Sequence, residues 1–103
     1  MEYSVLKVTG IPDGGMVCVS ISGKQIVIHR DGDSWHAFDD QCTHAECSLS
    51  AEGFIDGDAV VCGCHGASFD LTTGDVLSLP GTKALHTYPV RIDGDDILVT
   101  ITE

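Results

Sequence analysis

Five turn signals punctuate the chain at short intervals: Ser22-Gly23, Asp31-Gly32-Asp33, Asp56-Gly57-Asp58, Thr73-Gly74-Asp75 and Asp93-Gly94-Asp95. Asp-Gly between apolar segments is a strong hairpin signal, because the turn needs a backbone conformation that glycine adopts at no steric cost. The segments between these turns alternate. Val17, Val19 and Ile21 share a face, as do Ile26 and Ile28, then Tyr88, Val90 and Ile92, then Ile97, Val99 and Ile101. No window keeps a 3.6-residue apolar period for three turns, and β-branched residues are frequent. Strands are predicted near 3–8, 16–21, 25–30, 34–39, 53–55, 59–62, 67–70, 76–78, 84–92 and 96–102. The expected fold is all-β: small antiparallel sheets packed as a sandwich or barrel.

A chain of 103 residues suits one domain, 1–103, with an ordinary hydrophobic fraction of 43%. Sixteen acids against five bases leave a formal charge of −11. Nucleic acid and anionic membrane surfaces would repel such a chain, so a basic protein partner is the natural complement. The longest apolar runs, such as Ile26-Val27-Ile28 and Ala59-Val60-Val61-Cys62, are far too short to cross a bilayer. Met1-Glu2-Tyr3-Ser4 lacks the basic start of a signal peptide, which predicts a cytoplasmic location. The charges are also segregated. From Asp31 to Thr82 there are ten acids (Asp31, Asp33, Asp39, Asp40, Glu46, Glu52, Asp56, Asp58, Asp70, Asp75) and no lysine or arginine.

Four of the five cysteines fall between Cys42 and Cys64, with two histidines among them. An odd count without a secretory leader argues against a disulfide scaffold and towards metal. The first loop reads Cys42-Thr43-His44-Ala45-Glu46-Cys47, and the second Cys62-Gly63-Cys64-His65-Gly66-Ala67-Ser68-Phe69-Asp70. Each joins a thiolate to an imidazole over a tight span, and the predicted hairpin 53–61 would hold them side by side. A Cys₂His₂ set can bind zinc tetrahedrally, or two irons with the cysteines on one and the histidines on the other.

Cys42-Thr43-His44, then Cys62, His65-Gly66 and Phe69-Asp70 at this spacing, resemble the signature of the Rieske [2Fe–2S] family. The later Gly74-Asp75-Val76, Pro80-Gly81 and Leu85-His86-Thr87-Tyr88-Pro89-Val90 resemble its small soluble ferredoxins, so the likeness covers most of the chain. The resemblance implies a cluster-binding region of about 40–82, with Cys42 and Cys62 on the inner iron and His44 and His65 on the outer one. With neutral histidines the oxidised centre is formally neutral and one added electron makes it singly negative, which raises its potential above that of all-cysteine clusters. Four protein ligands leave no open coordination position, so electron transfer is the implied role.

Family members that oxidise quinols carry a disulfide at the places of Cys47 and Cys64, which implies a Cys47–Cys64 bridge here. Those proteins also place Ser and Tyr, whose hydroxyls donate to sulfur, where this chain has Ala67 and Phe69. Without these donors the reduced cluster is less stabilised, and the expected potential lies near the low end of the Rieske range, about −150 mV. Pro80-Gly81 is expected to screen the cluster as a third loop, and Gly66 to permit a tight turn after His65. Trp35 and Phe38 are expected to pack beneath the cluster. Cys18, His29, His36 and His86 lie in strand-like segments and read as structural or surface residues.

The resemblance implies a ferredoxin that takes single electrons from a flavin-dependent NAD(P)H reductase and passes them to a terminal aromatic-ring-hydroxylating oxygenase. It is then an electron-transfer component, not an enzyme, with no catalytic residue of its own. The alternatives are a small Rieske subunit of a nitrite reductase or arsenite oxidase type of complex, and a zinc-stabilised interaction module. The oxygenase partner chooses the molecule that is oxidised.

Overall fold

The computed structural model describes residues 2–41, 48–63, 66–78 and 84–101. Among the described residues eleven strands, one 3₁₀ turn and one short α-helix follow in order: β1 (Glu2–Lys7), the 3₁₀ turn (Val8–Gly10), β2 (Met16–Ile21), β3 (Lys24–Asp31), β4 (Ser34–Asp39), α1 (Leu49–Glu52), β5 (Phe54–Asp56), β6 (Ala59–Val61), β7 (Ser68–Asp70), β8 (Val76–Ser78), β9 (Thr87–Tyr88), β10 (Val90–Asp93) and β11 (Asp96–Thr100). They form three antiparallel sheets, ordered β1-β11-β10, β2-β3-β4-β9 and β5-β6-β7-β8. The all-β expectation is met, and the hairpin turns fall where the dipeptides placed them. Asp31–Ser34, Asp56–Ala59 and Asp93–Asp96 close two-residue turns whose first central glycine has φ of 59°, 60° and 63°.

The second sheet lies between the other two. On one face Val27 and Phe38 join a core with Leu49, Val60, Phe69 and Leu85, which come from the third sheet and its flanks. On the opposite face Ile26, Ile28 and Ala37 join Ile97, Val99 and Ile101 of the first sheet region, together with Tyr88. A strand covered on both faces reads as a continuous apolar run, and Ile26-Val27-Ile28 is fully buried for that reason.

Two expectations need correction. The segment 84–92 is not one strand. Thr87–Tyr88 pairs with β4, whereas Val90–Asp93 pairs with β11, so the chain changes sheets at Pro89, which has no N–H to extend a ladder. Trp35 does not pack with Phe38. Alternation sends it to the opposite face, into the core shared with the first sheet, where the Arg30 guanidinium lies 5.2 Å from its ring centroid.

Candidate metal centre

Three of the four expected ligands, Cys42, His44 and His65, lie outside the described residues, as do Cys47, Cys64 and Pro80. Cys62, Ala67 and Phe69 are described, and so are the stems on which every one of these segments is mounted. Among the described residues no three metal-ligating side chains converge.

The first stem is closed by an antiparallel bridge between Gln41 and Ser48. Asp40 fastens it: its carboxylate accepts from Ser48 Oγ (2.7 Å) and from the Ser50 amide (2.8 Å), and its carbonyl accepts from the Leu49 amide (2.7 Å). Burial pushes the Asp40 pKa up, but the hydrogen bonds from Ser50, Ser48 and Cys18 outweigh that and hold it below the ordinary carboxylate value. Ser48 also caps α1 by accepting from the Ala51 amide (3.2 Å). Neither Asp40 nor Ser48 was singled out by pattern. The only signal was a serine ahead of the short helix-forming run Leu49-Ser50-Ala51-Glu52, too brief for any periodicity.

The second stem is β6 and β7. The Cys62 amide donates to the Ala67 carbonyl (2.7 Å), and the Gly66 amide returns to the Cys62 carbonyl (2.9 Å), with Gly66 at φ +81° as the tight-turn reading requires. The third stem joins β8 to Leu85, whose amide donates to the Gly74 carbonyl (2.7 Å). Glycine is obligatory there, since a Cβ on Gly74 would stand 2.0 Å from the Leu85 oxygen.

One buried cluster ties the three stems together. Leu49 from the first, Cys62 and Ala67 from the second, and Leu85 from the third pack with Phe38 and Phe69. Cys62 is a free thiol with no exposed surface. A buried, unbridged cysteine whose own amide and carbonyl are already engaged suits a thiolate ligand to a shielded metal. Ala67 and Phe69 are fully buried beside it. Cys18, by contrast, sits in β2 and donates to Gln25 Oε1 (3.5 Å), and burial raises its pKa above the ordinary thiol value, which suits the structural role expected of it.

The remaining histidines are also placed. His29 and His36 oppose each other on β3 and β4 and stack at 5.8 Å, with His29 buried and its Nδ1 without a hydrogen-bond partner among the described residues. His86 is exposed and stacks on Tyr88 at 4.4 Å. The Tyr88 hydroxyl donates to the Asp39 carboxylate, joining β9 to the end of β4 just before the first stem. Lys7 pairs with Asp96, and Arg91 with Glu2 (2.7 Å), so the first sheet holds its bases in pairs while the third sheet carries carboxylates alone.

Three antiparallel sheets, with three loop stems meeting at a buried cysteine, suit a small iron–sulfur electron-transfer module. The model of the Rieske [2Fe–2S] domain matches residues 1–89, and the chain belongs to that family. Its cofactor is therefore a Rieske-type [2Fe–2S] cluster, which displaces the zinc alternative. The chain is 42% identical over 89 residues to the ferredoxin subunit of biphenyl dioxygenase from Pseudomonas sp. strain KKS102, covering 86% of this chain and 82% of that one. It is 41% identical over 103 residues to a 3-phenylpropionate/cinnamic acid dioxygenase ferredoxin subunit from Photorhabdus laumondii, covering 99% and 96%. In structure it matches the ferredoxin of carbazole 1,9a-dioxygenase from Nocardioides aromaticivorans IC177 with a TM-score of 0.92 at 29% identity, over 99% of both chains.

Proposed function

We propose that this chain is the ferredoxin of an aromatic-ring dioxygenase system, carrying single electrons from a flavin-dependent NAD(P)H reductase to a terminal oxygenase in the cytoplasm. The likeness to a dioxygenase ferredoxin subunit along 99% of the chain carries this reading. A chain similar to this one, at 32% identity and a TM-score of 0.87, occurs in a complex of reduced oxygenase and oxidised ferredoxin of carbazole 1,9a-dioxygenase, which supports the oxygenase as acceptor. No observation favours a nitrite reductase or arsenite oxidase type of complex. We read residues 1–103 as one Rieske domain with its cluster-binding region at about 40–82.

Cys42 and Cys62 would hold the inner iron, and His44 and His65 the outer one. The bound cluster supplies one-electron redox chemistry without an open site for substrate. Cys62 would bind as a thiolate, and Leu49, Ala67, Phe69 and Leu85 keep water from it. Ala67 and Phe69 offer no hydroxyl to sulfur, which favours a low potential suited to feeding an oxygenase. The acidic third sheet draws a basic partner towards the three stems.

The test is reconstitution of purified protein with reductase, NAD(P)H and terminal oxygenase. Hydroxylated product should form only when this protein is present, and its cluster should cycle between oxidised and reduced absorbance. Equal product without it would overturn the reading.

A further inference from the structure

The outer face of the third sheet has two rows of different character. Phe54, Val61, Ser68 and Ser78 are Cα partners across β5 to β8, forming the row next to the three loop stems. Four strands spaced by about 4.8 Å make this row roughly 14 Å long. The two edge strands carry exposed apolar side chains: Phe54, in the row on β5, is 53% exposed, and Leu77 on β8, next to Ser78 of the row, is 55% exposed. Half-buried Val61 lies between them. The next row, away from the stems, is Asp56, Ala59 and Asp70, with Asp58 and Asp75 exposed in the turns beyond.

Scattered surface apolar groups are ordinary. Two on the edge strands of one four-stranded sheet are less so, because an uncovered apolar edge is a pairing hazard. Of the three large exposed apolar side chains among the described residues, two stand here, beside the stems that mount the proposed ligands. The inner face of the same sheet is accounted for by Val60, Phe69, Ile55 and Val76 in the core. Among the described residues, neither Phe54 nor Leu77 joins a core cluster.

We propose that Phe54, Val61 and Leu77, backed by Asp56, Asp58 and Asp70, form the docking face for the terminal oxygenase, on a partner patch that is apolar with a basic rim. This rests on the function proposed above. An apolar strip a few residues long with a charged border suits a transient electron-transfer contact at the small end of interface sizes. The apolar row excludes water beside the cluster loops, and the carboxylates set orientation and encounter rate.

The experiment uses the cluster-loaded protein and the variants Phe54→Gln, Leu77→Gln and their double, with Ile92→Gln on the first sheet as control and Phe54→Leu as rescue. Binding is measured to immobilised terminal oxygenases of the biphenyl, 3-phenylpropionate and carbazole systems, and reduction is followed separately with each system's reductase. The double variant should bind about tenfold more weakly to the oxygenase that wild type binds best, with an unchanged cluster spectrum and unchanged reduction by the reductase. Ile92→Gln and Phe54→Leu should bind like wild type. Unaltered binding by the double variant, or an equal loss at the reductase, overturns the assignment. So does loss of the cluster in both single variants, which would make the face structural. Wild type that binds none of the three oxygenases would instead overturn the underlying function.

Discussion

Gly63 lies against the Glu52 carbonyl so closely that a Cβ on it would stand 1.8 Å from that oxygen. The contact presses the residue after Cys62 onto the end of the helix that follows the first stem, so the first and second stems share one fixed spacing. Gly63→Ala should force these stems apart. Overpacking at a rigid backbone contact costs about 1–3 kcal/mol or more. The expected result is a lower Tm and reduced iron content after reconstitution. Wild-type values for both would show that the helix end yields freely.

Ala67 and Phe69 lie beside Cys62 without a hydroxyl to offer. Ala67→Ser should raise the cluster midpoint. A net hydrogen bond worth about 1 kcal/mol to the reduced state corresponds to roughly 40 mV for one electron. Spectroelectrochemical titration checks it, and an unmoved or lowered midpoint would mean that the new hydroxyl does not reach sulfur.

His29 is buried with no Nδ1 hydrogen-bond partner among the described residues, and burial first, then the stacked His36, lowers its pKa below 6.5. The folded state therefore keeps it neutral while the unfolded chain takes up a proton. Stability should be complete above about pH 6.5 and fall as pH drops towards the depressed value, by at most about 1.4 kcal/mol per pH unit from this group. Chemical denaturation of wild type and His29→Phe from pH 7.5 to 5 isolates the contribution, since the variant should lose stability less steeply on acidification. Parallel curves would show that His29 protonates freely in the fold.

The sequence from Asp31 to Thr82, which includes the third sheet, carries ten carboxylates and no lysine or arginine. Electron delivery to the oxygenase should slow as ionic strength rises from about 0.01 M to 0.15 M, where the screening length contracts from roughly 30 Å to 8 Å. Stopped-flow rates that ignore salt would remove acidic steering from the account.

The hairpin pattern was legible because a two-residue turn and its glycine are local: Asp31-Gly32 and Asp56-Gly57 needed no knowledge of the rest of the chain. The family was equally legible, since Cys42, His44, Cys62 and His65 carry their spacing in the chain itself. What failed was anything decided across sheets. Trp35 and Phe38 stand three residues apart, so strand alternation sends them to opposite cores, and only the middle sheet's two covered faces reveal that this matters. Pro89 read as part of one strand because both halves alternate, although they pair with different sheets.

The residues by themselves determined the all-β class, the family and its cluster, because turn chemistry, side-chain alternation and motif spacing act over a few residues. Only the tertiary structure decided how the three stems are fastened. Asp40 reaches Ser48 and Ser50, Gly63 meets Glu52, and Gly74 meets Leu85. It also decided that the exposed Phe54 and Leu77 stand on the two edge strands of one sheet. These are contacts between segments distant along the chain, set by close packing of surfaces, and packing leaves no periodic mark in the residues that take part in it.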